Sequence, residues 1–532
     1  MRTPKALPEL TETIVQIASN VIKEFAGDLT RIRSRCIPQS SDLPAPAGSA
    51  TQQVRGEISA RAMQEAEKLH QAFEAGRDRL AAGAGVQDLG EILEPVRNLD
   101  SLLRDTALSV STHWFAIVVE KFIGPCHVGN QFKYEGQVYN FHGYRNRKVF
   151  LVTGPCSVKA AYYTREGGGG GLYPLDLVLG LDASGCTREA AFLMGHFACE
   201  NDYPQAQVLI KRATGLEIDQ NRLHSRIDAL GEIAMSLQEV PPDEDTPKPA
   251  ARLVVETDGL MVPMRYDPDE KDAEKAAEGW HEAHVGLVAV PQTATSEEPK
   301  YRRKDRSPEA HTKTKADANR DVELRDQSYV ATYEGREAHL RKLKAEAVRR
   351  GWSLETETAV LGDGSPWVHE DTEALFPGAT HILDWQHSVE HLGKVRDLAY
   401  KPGSPDGASW IARAEANLWE GKPDAMIASI RYLAQTSHKG AAKKLRTEAK
   451  YFRKRRHLMD YPAYRAAGWP IGSGAVESAC RHVVQERCKC SGMRWSTRGI
   501  RKILAVRTTI LNDRFNELWA AHALQGRAGA AA

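Results

Sequence analysis

Along the first 120 residues apolar positions recur every three or four places. In ISARAMQEAEKLHQAFEAGRDRL (58–80) charged residues fill the places between. That spacing predicts a largely helical region, with an amphipathic helix at 58–80 that packs or oligomerises through its apolar face. From Cys126 to about Tyr173 the period shortens. KYEGQVYNFHGYRNRKVFLVTGPCSVKAAYY alternates aromatic and β-branched residues with polar ones, which predicts short antiparallel strands ending in the flexible run Gly167–Gly171. Helical spacing returns over 187–235. There YPQAQVLIKRATG passes through a glycine turn into LEIDQNRLHSRIDALGEI, a helix-turn-helix-like pair with Asn221, Arg222, His224 and Arg226 on its second helix.

The acidic, proline-rich EVPPDEDTPKPAA (239–251) reads as a linker. Beyond it strands are predicted at RLVVETDGLMVPM, HVGLVAVPQ (284–292), SYVATYE (328–334), TAVLGDG (358–364) and THILDWQH (380–387). The charged stretch 293–327 lacks apolar periodicity and reads as a solvated loop. Helices follow at 335–352, from about Ser388, over 408–458 and in a basic C-terminal segment. The order strand, strand, strand, helix, strand, helix, strand is that of an α/β sheet whose first three strands are antiparallel.

At 532 residues the chain exceeds one ordinary core, and about three or four domains are expected. A hydrophobic share of 42%, a charged share of 27% and a mean hydropathy of −0.46 are those of a globular protein. No apolar run approaches the roughly 18 residues that would span a bilayer. The start of the chain lacks the pattern of a secretory signal, and eight irregularly spaced cysteines do not make a disulfide framework. These features lead us to expect a reduced, cytoplasmic protein. The net charge of +1, from 71 basic and 70 acidic residues, excludes a chain-wide attraction to nucleic acid. Charge is nevertheless segregated. Residues 450–507 hold fourteen Lys or Arg against three acids, including the consecutive Arg453, Lys454, Arg455 and Arg456, then Arg494, Arg498, Arg501 and Lys502. Trp469 and Trp495 lie among them, as core residues or as platforms for bases.

Within RLVVETDGLMVPM the apolar run is broken by Glu256-Thr257-Asp258-Gly259, and a carboxylate inside a core strand needs a partner. Asp363 ends a second apolar strand in VLGDGSPW, and Glu477 occupies the first turn of a helix after the Gly-Ser-Gly of IGSGAVESACR. Each alone could be a turn residue or a dipole-favoured acid. Together they suit a pair of Mg²⁺ ions, which take oxygen ligands and clamp the two oxygens of a phosphodiester displacement.

The segments ETDGLMVPM, TAVLGDGSPW, FPGATHILDWQHSVEHL and WPIGSGAVESACRHVVQERCKCSGMRWSTRGIRKILAVR resemble the ISKra-type bacterial insertion-sequence transposases. These belong to the Mutator-like group of DDE transposases with an RNase H-like core. The resemblance covers roughly 120–520. It implies that Asp258, Asp363 and Glu477 hold Mg²⁺ or Mn²⁺. It also implies that Asp384 and His387, the D-x-x-H of DWQH, orient the site, and that the protein cleaves and joins DNA at transposon ends, acting as a homo-oligomer. Its layout would be a helical region (1–120), a β-rich remnant of a zinc ribbon (121–185), and a helix-turn-helix-like DNA-binding region (186–240). The core (241–402 and 466–525) would follow, interrupted by a helical insertion (403–465). DNA contacts are expected from Arg222, Arg226, Arg453, Lys454, Arg455, Arg456, Arg494 and Arg498. The ribbon's paired cysteines are missing: Cys126 is followed by His127, TREGGGGG stands where a second pair belongs, and Cys156 does not fill the gap. Zinc there is not expected. Two other readings are open. HSVEH (387–391) fits the H-x-x-E-H of zinc proteases, and a transposase core can persist as a non-catalytic DNA-binding protein.

Overall fold

The computed structural model describes residues 99–529 apart from 169, 240–248 and 294–321, together with scattered positions between 56 and 82. Most of the helix expected at 58–80, of the linker and of the charged loop lies outside the described residues. The chain forms two compact units, Met1–Arg226 with Phe515–Ala532, and Ile227–Arg514. It is mixed α/β, and no helix among the described residues is long and apolar enough to cross a membrane.

In the first unit, helix α1 (Leu99–Val118) runs into a π-helical turn. A four-stranded antiparallel meander follows, of β1 (Gln131–Tyr134), β2 (Gln137–Leu151), β3 (Gly154–Arg165) and β4 (Gly171–Leu172). Tyr163 of β3 is fully buried, and its hydroxyl donates to Gly129 O at 2.8 Å and accepts from Val128 N at 2.9 Å, the pairing a buried phenol requires. Cys126 and Cys156 lie in the apolar cluster that also contains Val149, Leu151 and Leu175. Helix α2 (Pro174–Leu179) brings Asp176 to Arg147, which grips it through two bonds of 2.8 and 3.0 Å.

Helices α3 (Arg188–Glu200) and α4 (Tyr203–Thr214) come next. Gly215, at φ +68°, ends α4 in the left-handed conformation that glycine adopts without strain, and α5 (Gln220–Glu239) begins five residues later. The expected helix pair is present, but Arg226 does not stand ready for a base edge. Its side chain is only 11% exposed and its guanidinium is bound to Asp182 and to Ser184 Oγ. Burial works to raise the Asp182 carboxyl, and His522 of α16 (Phe515–Gly529) together with Arg226 outweighs it, holding Asp182 well below its usual range. Arg222 is exposed and paired with Asp219 at 3.3 Å.

The second unit is built on a five-stranded sheet. Its strands are β5 (Arg252–Met264), β6 (Gly279–Thr293), β7 (Val322–Thr332), β8 (Glu357–Gly362) and β9 (Thr380–Leu383), in the spatial order β7-β6-β5-β8-β9. The first three pair antiparallel, as predicted, and β8 and β9 add parallel to β5 through helical crossovers. A parallel neighbour needs such a crossover, and α7 (Arg336–Arg349) and α8 (Pro366–Leu375) supply it. The short α6 (Ala273–Ala276) lies between β5 and β6. On one face Leu253, Val255, Val288, Val330 and Val360 pack against Leu343, Ala347 and Val368. On the other, Val254, Ala359, Leu361 and Ile382 meet a helical set. That set comprises α9 (Trp385–Ala399), α10 (Pro405–Trp419), α11 (Pro423–Thr436), α12 (Lys439–Lys454) and α13 (Tyr461–Ala466). The stretch expected to be helical from 408 is thus three helices and a 3₁₀ turn. Beyond it α14 starts at Gly474–Ala479 and continues through a π-helical turn to Cys488, and α15 spans Thr497–Leu511.

Four histidines of this unit are held neutral, chiefly by burial: His339 at about 3, His369 at about 4, and His284 and His381 below their ordinary value. A folded value below the usual 6.5 makes the unfolded chain bind the extra proton. The stability these groups contribute is therefore full above pH 6.5 and is lost as pH falls through and below it. Chemical unfolding should show stability declining below pH 6.5, before ordinary carboxylates titrate. His339→Leu should reduce that slope by about one proton, or about 1.4 kcal/mol per pH unit. An unchanged slope would show that His339 is protonated in the folded protein.

Candidate metal centre

A strand sends alternate side chains to opposite faces, so Glu256 and Asp258 share the face of Val254 while Val255 and Thr257 point the other way. Thr257 accordingly meets His339 of α7, Oγ1 to Nε2 at 2.8 Å. Because Glu256 pairs with Leu361 across the parallel β5–β8 ladder, Asp258 and Asp363 each lie two residues further along neighbouring strands. Asp384 directly follows β9, and its N–H donates to Gly362 O at 2.9 Å. Asp363 and Asp384 thus stand just past the carboxyl ends of β8 and β9, where open α/β sheets place their ligands, and Asp258 lies midway along the adjacent parallel β5.

Asp363 is held in a tight turn. Ser365 donates to it through both N and Oγ at 2.8 Å, and Gly364 sits at φ +81° with Arg455 and Leu383 where a side chain would go. Tyr451 and Arg455 of the α12 region donate to the carbonyls of Asp363 and Gly364. Asp384 is not on a strand, as the DWQH pattern led us to expect, but is the N-cap of α9, with His387 in the first turn. Its side chain has no exposure. One oxygen accepts from His387 N at 2.6 Å and meets His387 Nδ1 at 3.1 Å, and the other accepts from Ser473 N. Glu477, exposed in the first turn of α14, follows four residues after Ser473.

Glu256 belongs to the same locale, although the sequence pattern did not single it out. Its carboxyl is fully buried. Oε2 accepts from Val476 N at 2.8 Å, and Oε1 has no hydrogen-bond partner among the described residues. The available signal was its spacing of two from Asp258, on one strand face. Asp384 and Glu256 together satisfy two free amides at the start of α14, which would otherwise be orphaned.

The electrostatics follow from crowding like charges with little water. Burial, then the charges of Asp384 and Glu477, pushes Glu256 up to about 8. Burial and Asp363 raise Asp258, with Gly259 N–H and His387 opposing; burial and Asp384 raise Glu477. The compensating cation is His387, which its bond to Asp384 pushes up to about 9. Burial works to raise Asp384, but the bonds from His387 and Ser473 hold it below its usual range. Cys480, at the start of the π turn, approaches Asp258 Oδ2 at 3.7 Å.

One donor atom from each of Asp384, His387 and Glu477 lies within 4.8 Å of the others, so these three could hold a metal ion. Asp258, Asp363 and Glu477 do not by themselves form such a set among the described residues. The pair expected to play accessory parts therefore forms, with Glu477, the tighter ligand set. Asp258 stands beside it, within the electrostatic reach of Asp363, His387 and Glu477. His391, the second histidine of HSVEH, is taken up by Glu448 at 2.6 Å and stacked on Tyr451 at 3.8 Å. It does not join the set, which leaves the zinc-protease pattern without its second ligand.

The expected DNA-contacting cations are sorted by their neighbours. Arg453 and Lys454 are exposed. Arg455 braces the Asp363 turn and lies over Tyr451 at 3.9 Å, so its role is internal. Arg456 pairs with Asp424, Arg494 with Glu278, Arg498 with Asp228, Arg501 with Glu270, and the buried Lys502 with Asp228 and Glu232. Trp469 is buried beneath Arg252, and Trp495 donates to Cys488 O, so both are engaged inside the unit. In comparisons with known proteins, neither family models nor curated sequences match the chain.

A metal ion bound by His387 must displace the proton that Asp384 favours, so binding at neutral pH should release protons, and affinity should rise with pH up to about 9. Calorimetric titration with Mn²⁺ in two buffers of different ionisation heat measures the release. His387→Ala and Glu477→Ala should each weaken binding about tenfold or more. Undiminished affinity in both variants would place the ion elsewhere.

Proposed function

We propose that the chain is a DDE transposase of the ISKra type, cleaving DNA at transposon ends and joining the freed 3′-hydroxyl to target DNA. The observation that carries the reading is the convergence of Asp258, midway along β5, with Asp363 and Asp384 just past the ends of the adjacent β8 and β9, and with Glu477 brought in by a helix. Three leading antiparallel strands, the order expected from the sequence pattern, with two parallel additions support assigning an RNase H-like core.

The donor set fits a hard divalent cation such as Mg²⁺ or Mn²⁺, since carboxylate oxygens dominate it; a single imidazole leans toward Mn²⁺. The orphaned Oε1 of Glu256 adds an unpartnered carboxyl oxygen nearby. Such an ion would activate water at neutral pH and neutralise charge developing on a phosphodiester. The protein's own groups do the positioning. Asp384 fixes the His387 ring through Nδ1, which leaves Nε2 free for the site. The Ser365, Tyr451 and Arg455 contacts fix the Asp363 turn. Asp258 and Asp363, which repel one another, would contribute further carboxylate oxygens beside the Asp384, His387 and Glu477 set, and a bound cation would relieve that repulsion. In the first step water attacks phosphorus and the 3′-oxygen leaves; in the second, that hydroxyl attacks a target phosphodiester and displaces its 3′-oxygen.

Replacing Asp258, Asp363 or Glu477 singly by Ala should abolish Mg²⁺-dependent strand cleavage while DNA binding stays nearly intact. The assay is nicking and joining of a labelled duplex carrying the ends of the element. Full cleavage by the Asp258→Ala protein would sink the assignment.

A further inference from the structure

Helix α12 buries Ala441, Ala442, Leu445, Ala449 and Phe452 along one side. On the other, Lys439, Lys443, Arg446, Lys450 and Arg453 are all exposed. They follow one another at steps of four, three, four and three, which on a helix makes a single row. Lys444 and Lys454, also exposed, flank it. The helix carries one acid, Glu448, and that acid is turned to His391. Among the described residues none of these seven cations has an ion-pair partner, unlike Arg456, Arg494, Arg498, Arg501 and Lys502 of the same unit.

Such a row is costly to the helix. Like charges at neighbouring turns destabilise it, and its one acid is committed to His391 rather than to the row. Its C-terminal end is tied to the candidate centre, because Tyr451 donates to Asp363 O at 3.0 Å and Arg455 to Gly364 O. Sixteen residues give the helix a length of about 24 Å, close to seven base-pair steps of a duplex.

We infer that the outer face of α12 is a rail for the phosphate backbone of duplex DNA, guiding it toward the Asp363 turn. This rests on the transposase reading and adds the surface through which the unit would hold its substrate. Duplex is favoured over single strand because the row is cationic throughout and has no aromatic member, whereas single-strand grooves interleave aromatics on which bases stack. Backbone contacts of this kind position DNA without reading its sequence.

The test uses the full chain and a random-sequence duplex several turns long, with affinity measured across a range of salt. Each phosphate contact contributes about −0.9 to the slope of log K against log salt. Combining Lys439→Gln, Lys443→Gln, Arg446→Gln and Lys450→Gln should flatten the slope by about one unit for each phosphate no longer held, up to about four. A control protein with Arg456→Gln, Arg494→Gln and Arg498→Gln should keep most of the slope. In the unaltered protein, duplex should also protect Lys443 and Lys450 from acetylation, a readout independent of how the variant folds. A wild-type slope in the fourfold variant, or unprotected lysines in the complex, overturns the rail and leaves the cleavage assignment standing. Failure of the unaltered chain to bind duplex overturns both. Binding to phosphatidylserine vesicles in place of duplex gives the row to a membrane surface instead.

Discussion

The second unit is organised around one carboxylate with no access to water. Burying an ionised acid costs several kcal/mol unless hydrogen bonds replace the lost hydration. Asp384 meets that condition through two helices at once: it caps α9, holds the His387 ring of that helix, and accepts the Ser473 amide at the start of α14. Its own N–H is anchored on Gly362, beside Asp363. Strand end, insertion-side helix and Glu477-bearing helix are therefore positioned by bonds to a single residue. Removing its charge would loosen both helices while the backbone bond to Gly362 remains, so a substitution at Asp384 acts on the geometry of the site before it acts on any chemistry.

Around that residue the protein maintains an unfavourable arrangement. Glu256, Asp258 and Glu477 are each raised by burial and by neighbouring acids, and His387 is the local cation that answers them. A purely structural site would be expected to replace some of these acids with amides, because unpaired buried charge is expensive. Their concentration is intelligible when a cation supplies the missing charge, which inverts the local preference for protonation. The buried, unpartnered Oε1 of Glu256 belongs to the same pattern, as a carboxyl oxygen left over after its partner oxygen has capped α14.

Much of this was legible in the chain itself. The strands at 252, 284, 328, 358 and 380 were marked by apolar runs with turn residues at their ends, and the antiparallel order of the first three followed from the missing crossovers. Asp258 was conspicuous because it interrupts an apolar strand. Glu256 was not, because its partner is a backbone amide of residue 476, far along the chain. The same distance hid the roles of the cations. Runs of Arg and Lys in 450–507 read as one basic surface, yet Arg455 turns inward to Gly364 and Lys502 is buried between Asp228 and Glu232. Arg226, on a helix that looked poised to read bases, closes on Asp182 for the same reason. Residue type and local spacing predict which face a side chain takes; they do not name the acid that arrives from another segment.

That distinction also locates the charge that matters. A net charge of +1 hides nearly equal numbers of both signs, and where the two signs meet, as at Arg494 and Glu278 or Arg498 and Asp228, a surface pair contributes little and attracts little. Attraction for a polyanion comes from cations left without such partners and set at regular spacing. Within the second unit α12 meets that description, and its end lies against the turn that fixes Asp363. A cation would relieve the crowded acids of the centre, and a phosphate chain is held by cations near it. The fold sets converging acids on and just past adjacent strands, and a row of unpaired bases on the adjoining helix. Placed side by side, they would bring a scissile phosphate and the ion to the same strand end.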